Sequence, residues 1–396
     1  SRSPMEVLVV NCGSSSLKAA TVNVKSGEWG LHVLAQRLSS PAATITVEDR
    51  RAGEVLVLRH NEPLEPPTHE AALEQVLQWL ETRGRLESLK GVGHRVVHGG
   101  AEFHSSVVIT DESLAKIKAC VSLAPLHNPA NIQGIELCAK FFQKLQQVAV
   151  FDTSFHATMP RCASTYAIPK EWRDHGVQRY GFHGTSHRFV SSEARSLLVA
   201  LDLPHKRQIV CHLGNGCSAT GIVDGGLVMG TRSGTVDPAL VTHVADALSM
   251  PAPQVVSALN KNSGLAALSG CGSDMRGVLR AAHEGNEDAA LAVEVFCYSV
   301  AKAVGALMVA TQGLDALVFT GGIGENSGPI RQRILALLQW TGLQEDRERN
   351  RINGAESSGV VSVSGTSPVC LVVRTDEELL IARDTESLLF PPTPAL

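Results

Sequence analysis

Three observations predict an α/β fold in two related halves. The chain has 396 residues, too many for one ordinary core. Short apolar strands alternate with segments of helical spacing along its whole length. A unit of strand, polar glycine turn and returning strand also occurs twice, as VLVVNCGSSSLKAATVNV near the start and as RQIVCHLGNGCSATGIVDGG from Arg207. We place the first domain at 1–150, joined by a terminal helix at 378–396, and the second at 151–377.

The elements follow in order. Val7 to Val10 forms a strand, and LKAATVNV returns as a second one after the serine turn. A P-loop needs G-x-x-x-x-G-K-[ST] running into a helix, and neither that spacing nor that helix is present here. Strands continue through ATITVEDR and EVLVLRH, and Ala, Leu, Val and Trp recur at helical spacing from His69 to Thr82. GVGHRVVHGG reads as a strand, followed by a helix from Asn131 to Leu145 and the strand of QVAVFDTSFH. In the second half a long helix runs from Asp288 to Gln312, then come the strand of ALVFTGGIGENS and a helix from Pro329 to Trp340. The strand VCLVV leads into a terminal helix, and PPTPAL reads as a frayed tail.

Composition excludes several classes. A net charge of −4 offers no broad cationic field for a nucleic acid, so none is expected as a partner. The nine cysteines are scattered, with no C-x-x-C pair, which points to free thiols in a reducing cytoplasm rather than to zinc or disulfides. No charged-then-apolar leader is expected before the first strand, and SRSP ahead of Met5 reads as a cloning remnant. Ala289 to Ala310 is apolar but carries Glu294 and Lys302, so a buried helix fits it better than a membrane span.

The glycine turns carry the chemistry. In NCGSSSLK the backbone can approach an anion closely, Ser14, Ser15 and Ser16 can donate, and Lys18 adds a point charge; an ordinary hairpin with solvated serines is the competing reading. LGNGCS at Leu213 to Ser218 and TGGIGENS at Thr320 to Ser327 also put glycines at strand ends, and the second enters a helix whose N-terminus suits a phosphate. GHRVVHGG places His94, Arg95 and His98 on a strand, with Arg95 and Val97 on one face. VMGTRSG supplies Arg232 between glycines, a common setting for a bidentate grip on phosphate oxygens. VFDTSFH ends a strand at Asp152. RYGFHGTSH carries His183 and His187, but Gly184 stands where a zinc protease needs glutamate, and structural roles are preferred for His156 and His187. In RTDEELL, Asp376, Glu377 and Glu378 either cap the next helix or ligate magnesium.

In this order NCGSSSLK, GHRVVHGG, LAPLHNPAN, VFDTSFHATMP, RYGFHGTSH, HLGNG, MGTRSG, SGCGSDMR, FTGGIGENS and TDEELLIARDT resemble the acetate kinase family over nearly the whole chain. The resemblance implies two duplicated ribonuclease-H-like domains of the actin-like ATPase fold around a central nucleotide cleft, in a homodimer. It implies phosphoryl transfer from ATP to the carboxylate of acetate, giving acetyl phosphate and ADP, with Mg2+ or Mn2+. Carried over by position, Ser14, Ser16 and Lys18 lie at the phosphates, and Asn11 and Glu377 hold the metal. Arg95, His183, Arg232 and Asp152 are catalytic, Arg95 also binding the acyl carboxylate. Val97, Leu126 and Phe182 line the acyl pocket. His212, Asn215, Gly216, Asp274, Arg276, Gly322, Gly324 and Asn326 hold the nucleotide.

Three departures stand against the family pattern. VDGG runs directly into LVMGTRSG, where members carry a longer stretch resembling DTSMGFTPLEG, so the link between Gly225 and Met229 is short. Ala19 stands where an aromatic usually follows the lysine, and Thr235 where GTRSG is usually followed by aspartate. Two other functions therefore compete with acetate phosphorylation: a propionate kinase, which a residue smaller than Val97 would favour, and a nucleotide-binding paralogue of weak activity.

Overall fold

The computed structural model describes residues 6–51, 54–221, 224–226 and 236–391. Arg232, Thr235, Met229 and all but the first residue of the PPTPAL tail lie outside them. The chain forms two compact units. The first comprises residues 1–158, 168–185 and 376–396, and the second 159–167 and 186–375.

In the first unit eight strands form one sheet. They are β1 (Glu6–Gly13), β2 (Ser16–Asn23), β3 (Trp29–Gln36), β4 (Thr44–Arg51), β5 (Glu54–Pro63), β6 (Leu89–Val96), β7 (Val107–Val108) and β8 (Gln147–Phe151), in the spatial order β5-β4-β3-β2-β1-β6-β8-β7. β1 and β2 are antiparallel and close at Gly13 opposite Ser16, leaving a two-residue turn of Ser14 and Ser15. β6 and β8 then run parallel to β1.

The second unit repeats the plan. β9 (Gln208–Leu213), β10 (Cys217–Thr220), β11 (Asp224–Gly226), β12 (Ala316–Thr320) and β13 (Val369–Val372) lie in the order β11-β10-β9-β12-β13. The order β3-β2-β1-β6-β8 of the first sheet is the same: an antiparallel meander followed by two parallel strands. The doubled strand-turn-strand unit of the sequence is thus a doubled sheet topology.

Helices cover these sheets. In the first unit α1 (His69–Thr82) and α2 (Asn128–Phe141) pack on the apolar side of β1 to β3, around Leu8, Val10, Leu17, Val33, Leu73 and Cys138. α3 (Gly184–Ala200) begins in the first unit and continues in the second. In the second, α4 (Met275–His283) and α5 (Glu287–Thr311) build a core with Phe319 and Ile334. By length and composition α5 could cross a bilayer. Its Ala292, Val293, Phe296, Val300, Val304 and Leu307 are buried in that core, as expected of an interior helix. α6 (Gly321–Asn326) and α7 (Gly328–Leu337) follow β12, and α8 (Glu377–Leu389) returns to the first unit. There the glycines of GVGHRVV make room for it: a Cβ on Gly91 or Gly93 would stand 2.4 Å from Leu389 or Thr385.

Some boundaries differ from the sequence reading. β6 ends at Val96, so Val97 and His98 lie past the strand rather than on it. The helix expected from Asn131 starts at Asn128, where Pro129 suits the first turn.

Candidate active site

In the first unit the strand ends bring four side chains together. Arg95, next to last on β6, donates from Nε to Asp152 Oδ1 at 2.9 Å and from Nη2 to Asp152 Oδ2 at 2.7 Å. Glu377 Oε2 lies 3.5 Å from Arg95 Nε. Thr185 donates to Glu377 Oε2 at 2.5 Å and sits 3.4 Å from Asp152 Oδ1. Asp152 and Thr185 are buried and Arg95 is half-buried. Burial opposes the charge on Arg95, but Asp152 and Glu377 outweigh it and raise the guanidinium pKa, so it stays ionised.

Local chain chemistry sets this geometry. Gly184 packs against the end of β8, its N–H donating to Asp152 O at 2.9 Å, and a Cβ there would stand 2.1 Å from that oxygen. Only glycine fits. His183, just before it, has φ +55 and precedes α3, while His187 is buried inside that helix, so the two histidines at i, i+4 do not share a helix, in keeping with the rejection of a zinc-protease pair. His187 Nε2 is 2.7 Å from Ser218 Oγ. The acidic triplet divides its roles. Asp376 caps α8, accepting from Leu379 N at 2.8 Å, and also accepts from Trp29 Nε1 at 3.3 Å. Glu377 faces Arg95. Burial, then the charge of Glu377, raises the pKa of Glu378.

The opening turn lies in the same unit. Asn11 pairs across the hairpin with Lys18, and Ser14 and Lys18 are exposed while Ser16 is half-buried. Of the three residues expected to line an acyl pocket, Val97 is half-buried, and Leu126 and Phe182 are exposed. The Phe182 ring meets the imidazole of His98 edge-on, centroids 5.7 Å apart.

In the second unit the ends of the parallel strands β9 and β12 bring two glycine turns side by side, with Thr320 beside His212. A Cβ on Gly321 would stand 2.8 Å from Leu213 O, so the turns touch through bare backbone. His212 Nδ1 is 2.8 Å from Ser186 Oγ, and Asn215 is exposed at the tip of the first turn. Gly322 has no heavy atom within 4 Å of a built Cβ, while Gly324 packs closer to Cys211 and Leu213. Asn326 donates to Gly322 O at 2.9 Å. Asp274 caps α4 and forms an exposed ion pair with Arg276 at 2.8 Å.

The Gly321 N–H at the start of α6 donates to Glu325 Oε1 at 2.9 Å. That oxygen also accepts from Thr320 Oγ1 at 3.2 Å and Thr375 N at 3.1 Å. A carboxylate of the chain itself thus braces the start of α6 against the segment that follows β13.

Sequence reasoning missed Thr185, Ser186 and Glu325. Thr185 and Ser186 stand inside RYGFHGTSH, where two hydroxyl residues between the histidines were the available signal. Glu325 in GIGENS carried none, since its contact with Thr375 is 50 residues away.

Asp152, Glu377 and Asn11 are oxygen donors, and the two carboxylates outweigh Arg95 in charge. Among the described residues no three His, Cys, Asp or Glu side chains group as a metal cage. That donor set fits Mg2+, which keeps several waters and takes one or two carboxylates beside substrate phosphates.

Comparison with known proteins agrees with these motifs. Residues 6–383 match the Acetokinase family. The acetate kinase of Deinococcus radiodurans is 46% identical over 395 residues, covering 96% of this chain and 97% of that protein. A propionate kinase structure from Francisella tularensis superposes with a TM-score of 0.88 at 41% identity, covering 97% of this chain and all of that one. The Porphyromonas gingivalis acetate kinase structure gives a TM-score of 0.84 at 38% identity, with 97% and 100% covered.

Proposed function

The chain belongs to the acetokinase family, and from that premise we propose that it phosphorylates acetate with ATP, reversibly, by direct in-line transfer. An acetate oxygen attacks the γ-phosphorus, the bond from that phosphorus to the β,γ-bridging oxygen breaks, and acetyl phosphate and ADP leave. Carboxylic acids have pKa values of roughly 4 to 5, so at neutral pH the acceptor is already ionised and needs no general base. Asp152 is then not a base. Its work is to hold Arg95.

The observation that carries the reading is the fixed guanidinium. The obstacle to this reaction is repulsion between two anions, and a preorganised cation offsets it without reorganising during transfer. Two of the five N–H groups of Arg95 go to Asp152, which sets the plane of the fork. The others can grip the acyl carboxylate or the phosphoryl oxygens. Lys18, Ser14 and Ser16 on the opening turn are assigned to the phosphates, with His183 and Arg232 beside the group in transfer. Mg2+, for which Mn2+ can substitute, would be held by Asn11 and Glu377 with Asp152 near, and supplies charge neutralisation at the phosphates. His212, Asn215, Gly216, Gly322, Gly324, Asn326, Asp274 and Arg276 are assigned to the nucleotide.

Hydroxylamine trapping of acetyl phosphate, with ATP, Mg2+ and acetate, tests the activity. Arg95→Ala should lower kcat by about a hundredfold or more; a near-normal rate removes its assignment. ATP binding without product would instead favour the weakly active nucleotide-binding paralogue. Propionate is the second reading, favoured by the likeness to a propionate kinase. Val97 favours acetate, although one methylene discriminates by only about 1 to 3 kcal/mol. Comparing kcat/KM for the two acids decides.

A homodimer is the proposed assembly. Support comes from the second unit, where Leu291, Tyr298 and Val309 are exposed along one face of α5 and Trp340 is exposed beyond α7. A cytoplasmic setting is proposed from the nine scattered cysteines, none of which is joined in a disulfide among the described residues.

A further inference from the structure

LAPLHNPAN supplies only Leu126 to the proposed site, yet its two asparagines are among the most buried polar residues of the first unit, at 0% exposure for Asn128 and 3% for Asn131. Both spend their amides on foreign backbone. Past the end of β6 the peptides of Val97 and His98 leave the ladder, and a buried peptide group without a partner is costly. Asn128 acts as a surrogate strand for His98, accepting from its N–H at 3.1 Å and donating to its C=O at 2.9 Å.

Asn131 does something different. Its Oδ1 accepts from Val97 N at 3.0 Å, while its Nδ2 donates to Cys12 O at 2.7 Å. One planar amide thus ties the acyl-pocket segment to the phosphate turn. The approach is close by design of the sequence. Gly134, one residue short of a helical turn further on, lets α2 lie against β1, where a Cβ would stand 2.6 Å from Cys12 Sγ. The next carbonyl, Gly13 O, is 2.7 Å from His69 Nε2, so the turn is braced from a second helix as well.

We infer that Asn131 is a positioning residue that sets the spacing between the acyl pocket at Val97 and the phosphate turn from Asn11 to Ser16. The inference rests on the acetate kinase reading, which assigns those two segments to the two substrates. Asn131 touches neither substrate. It fixes two backbones whose separation decides whether the acceptor oxygen lies in line with the γ-phosphorus, and misplacement of about 1 Å can cost a hundredfold in rate.

Two variants separate its arms. Asn131→Asp keeps the shape and the acceptor for Val97 N, but a carboxylate cannot donate to Cys12 O. It should lower kcat about tenfold, the rate equivalent of one lost buried hydrogen bond, and leave the acetate-to-propionate ratio of kcat/KM within twofold of wild type. Asn131→Leu loses both arms. It should lower kcat further and reduce the ratio by about tenfold, since the Val97 backbone is then unrestrained. Wild-type kcat in folded Asn131→Asp, or an unchanged ratio in folded Asn131→Leu, overturns the inference. Should Asn131→Leu fail to fold by thermal melting, Asn131→Asp carries the test alone. Val97→Ala is the control for the underlying reading. If it shifts the ratio toward propionate while the Asn131 variants behave as wild type, the inference alone fails. If it leaves the ratio unchanged, the pocket assignment falls and takes the inference with it.

Discussion

Replacing Thr185 by valine removes one oxygen from the proposed metal edge and almost nothing else. Thr185 is 2% exposed, and its hydroxyl donates to Glu377 Oε2 at 2.5 Å. Valine has the same shape and a similar helix propensity, so α3 should start where it does now. A hydrogen bond to a charged group contributes about 1.5–3 kcal/mol. Here the lower end applies, because Glu377 is 19% exposed and stays near Arg95, so water and the guanidinium recover part of the loss. About 1.4 kcal/mol is tenfold in affinity, at the lower edge of the 10–100-fold cost of losing an outer partner of a metal ligand. In the hydroxamate assay at saturating ATP and acetate, the Mg2+ concentration for half-maximal rate should therefore rise about tenfold. The kcat at saturating Mg2+ should stay close to wild type, because the reacting groups are untouched. Thr185→Ser keeps the donor and should restore the wild-type Mg2+ dependence. An unchanged Mg2+ dependence in Thr185→Val, or a serine variant as impaired as valine, would refute the role given to this hydroxyl and to Glu377.

Other expectations follow the same contacts. Asp376→Ala should cost about 1 kcal/mol of stability as a lost cap, and by fraying the first turn of α8 it should also raise the Mg2+ requirement; Asp376→Asn, which keeps the acceptor, should do neither. Glu325→Ala leaves the Gly321 and Thr375 amides without their acceptor and should raise KM for ATP about tenfold with little change in KM for acetate; an effect on acetate alone would contradict the nucleotide assignment. His94 is buried against Gln147, and burial pushes its pKa down to about 4 despite the opposing hydrogen bond to Gln147. The unfolded chain, with an imidazole near 6.5, takes up a proton between pH 7 and 5 that the folded chain refuses. The contribution of His94 is thus complete above about pH 6.5, and about 2 kcal/mol of stability is lost by pH 5. Urea unfolding at pH 7 and 5 should show that loss to be smaller in His94→Asn than in wild type, and equal losses would exclude His94 as its source.

Periodicity made most of the fold legible. β1, β2, β9, β12, α1 and α5 begin and end within a few residues of the sequence reading, because each carries its own apolar pattern and its own turn. The end of β6 was not legible. GHRVVHGG alternates through Val97, but the ladder stops at Val96 because Asn131 and Asn128 capture the next two peptides from another element. The acidic triplet was ambiguous for a related reason: Asp376 caps and Glu377 faces Arg95, and only the direction in which α8 leaves the chain separates the two roles. Glu325 was invisible, since its partners Gly321 and Thr375 meet only when β12 and β13 pair.

By itself the sequence determined the duplicated α/β plan, the family and the residue types the chemistry needs. Apolar alternation, glycine turns and ionisable groups are local properties, written within a few residues of one another. Tertiary structure alone decided which groups share a hydrogen bond. The fork of Arg95 on Asp152 spans 57 residues, the Thr185 bond to Glu377 spans 192, and the Asn131 bond to Cys12 spans 119. Those distances are closed by strand order and helix packing, which no local pattern encodes.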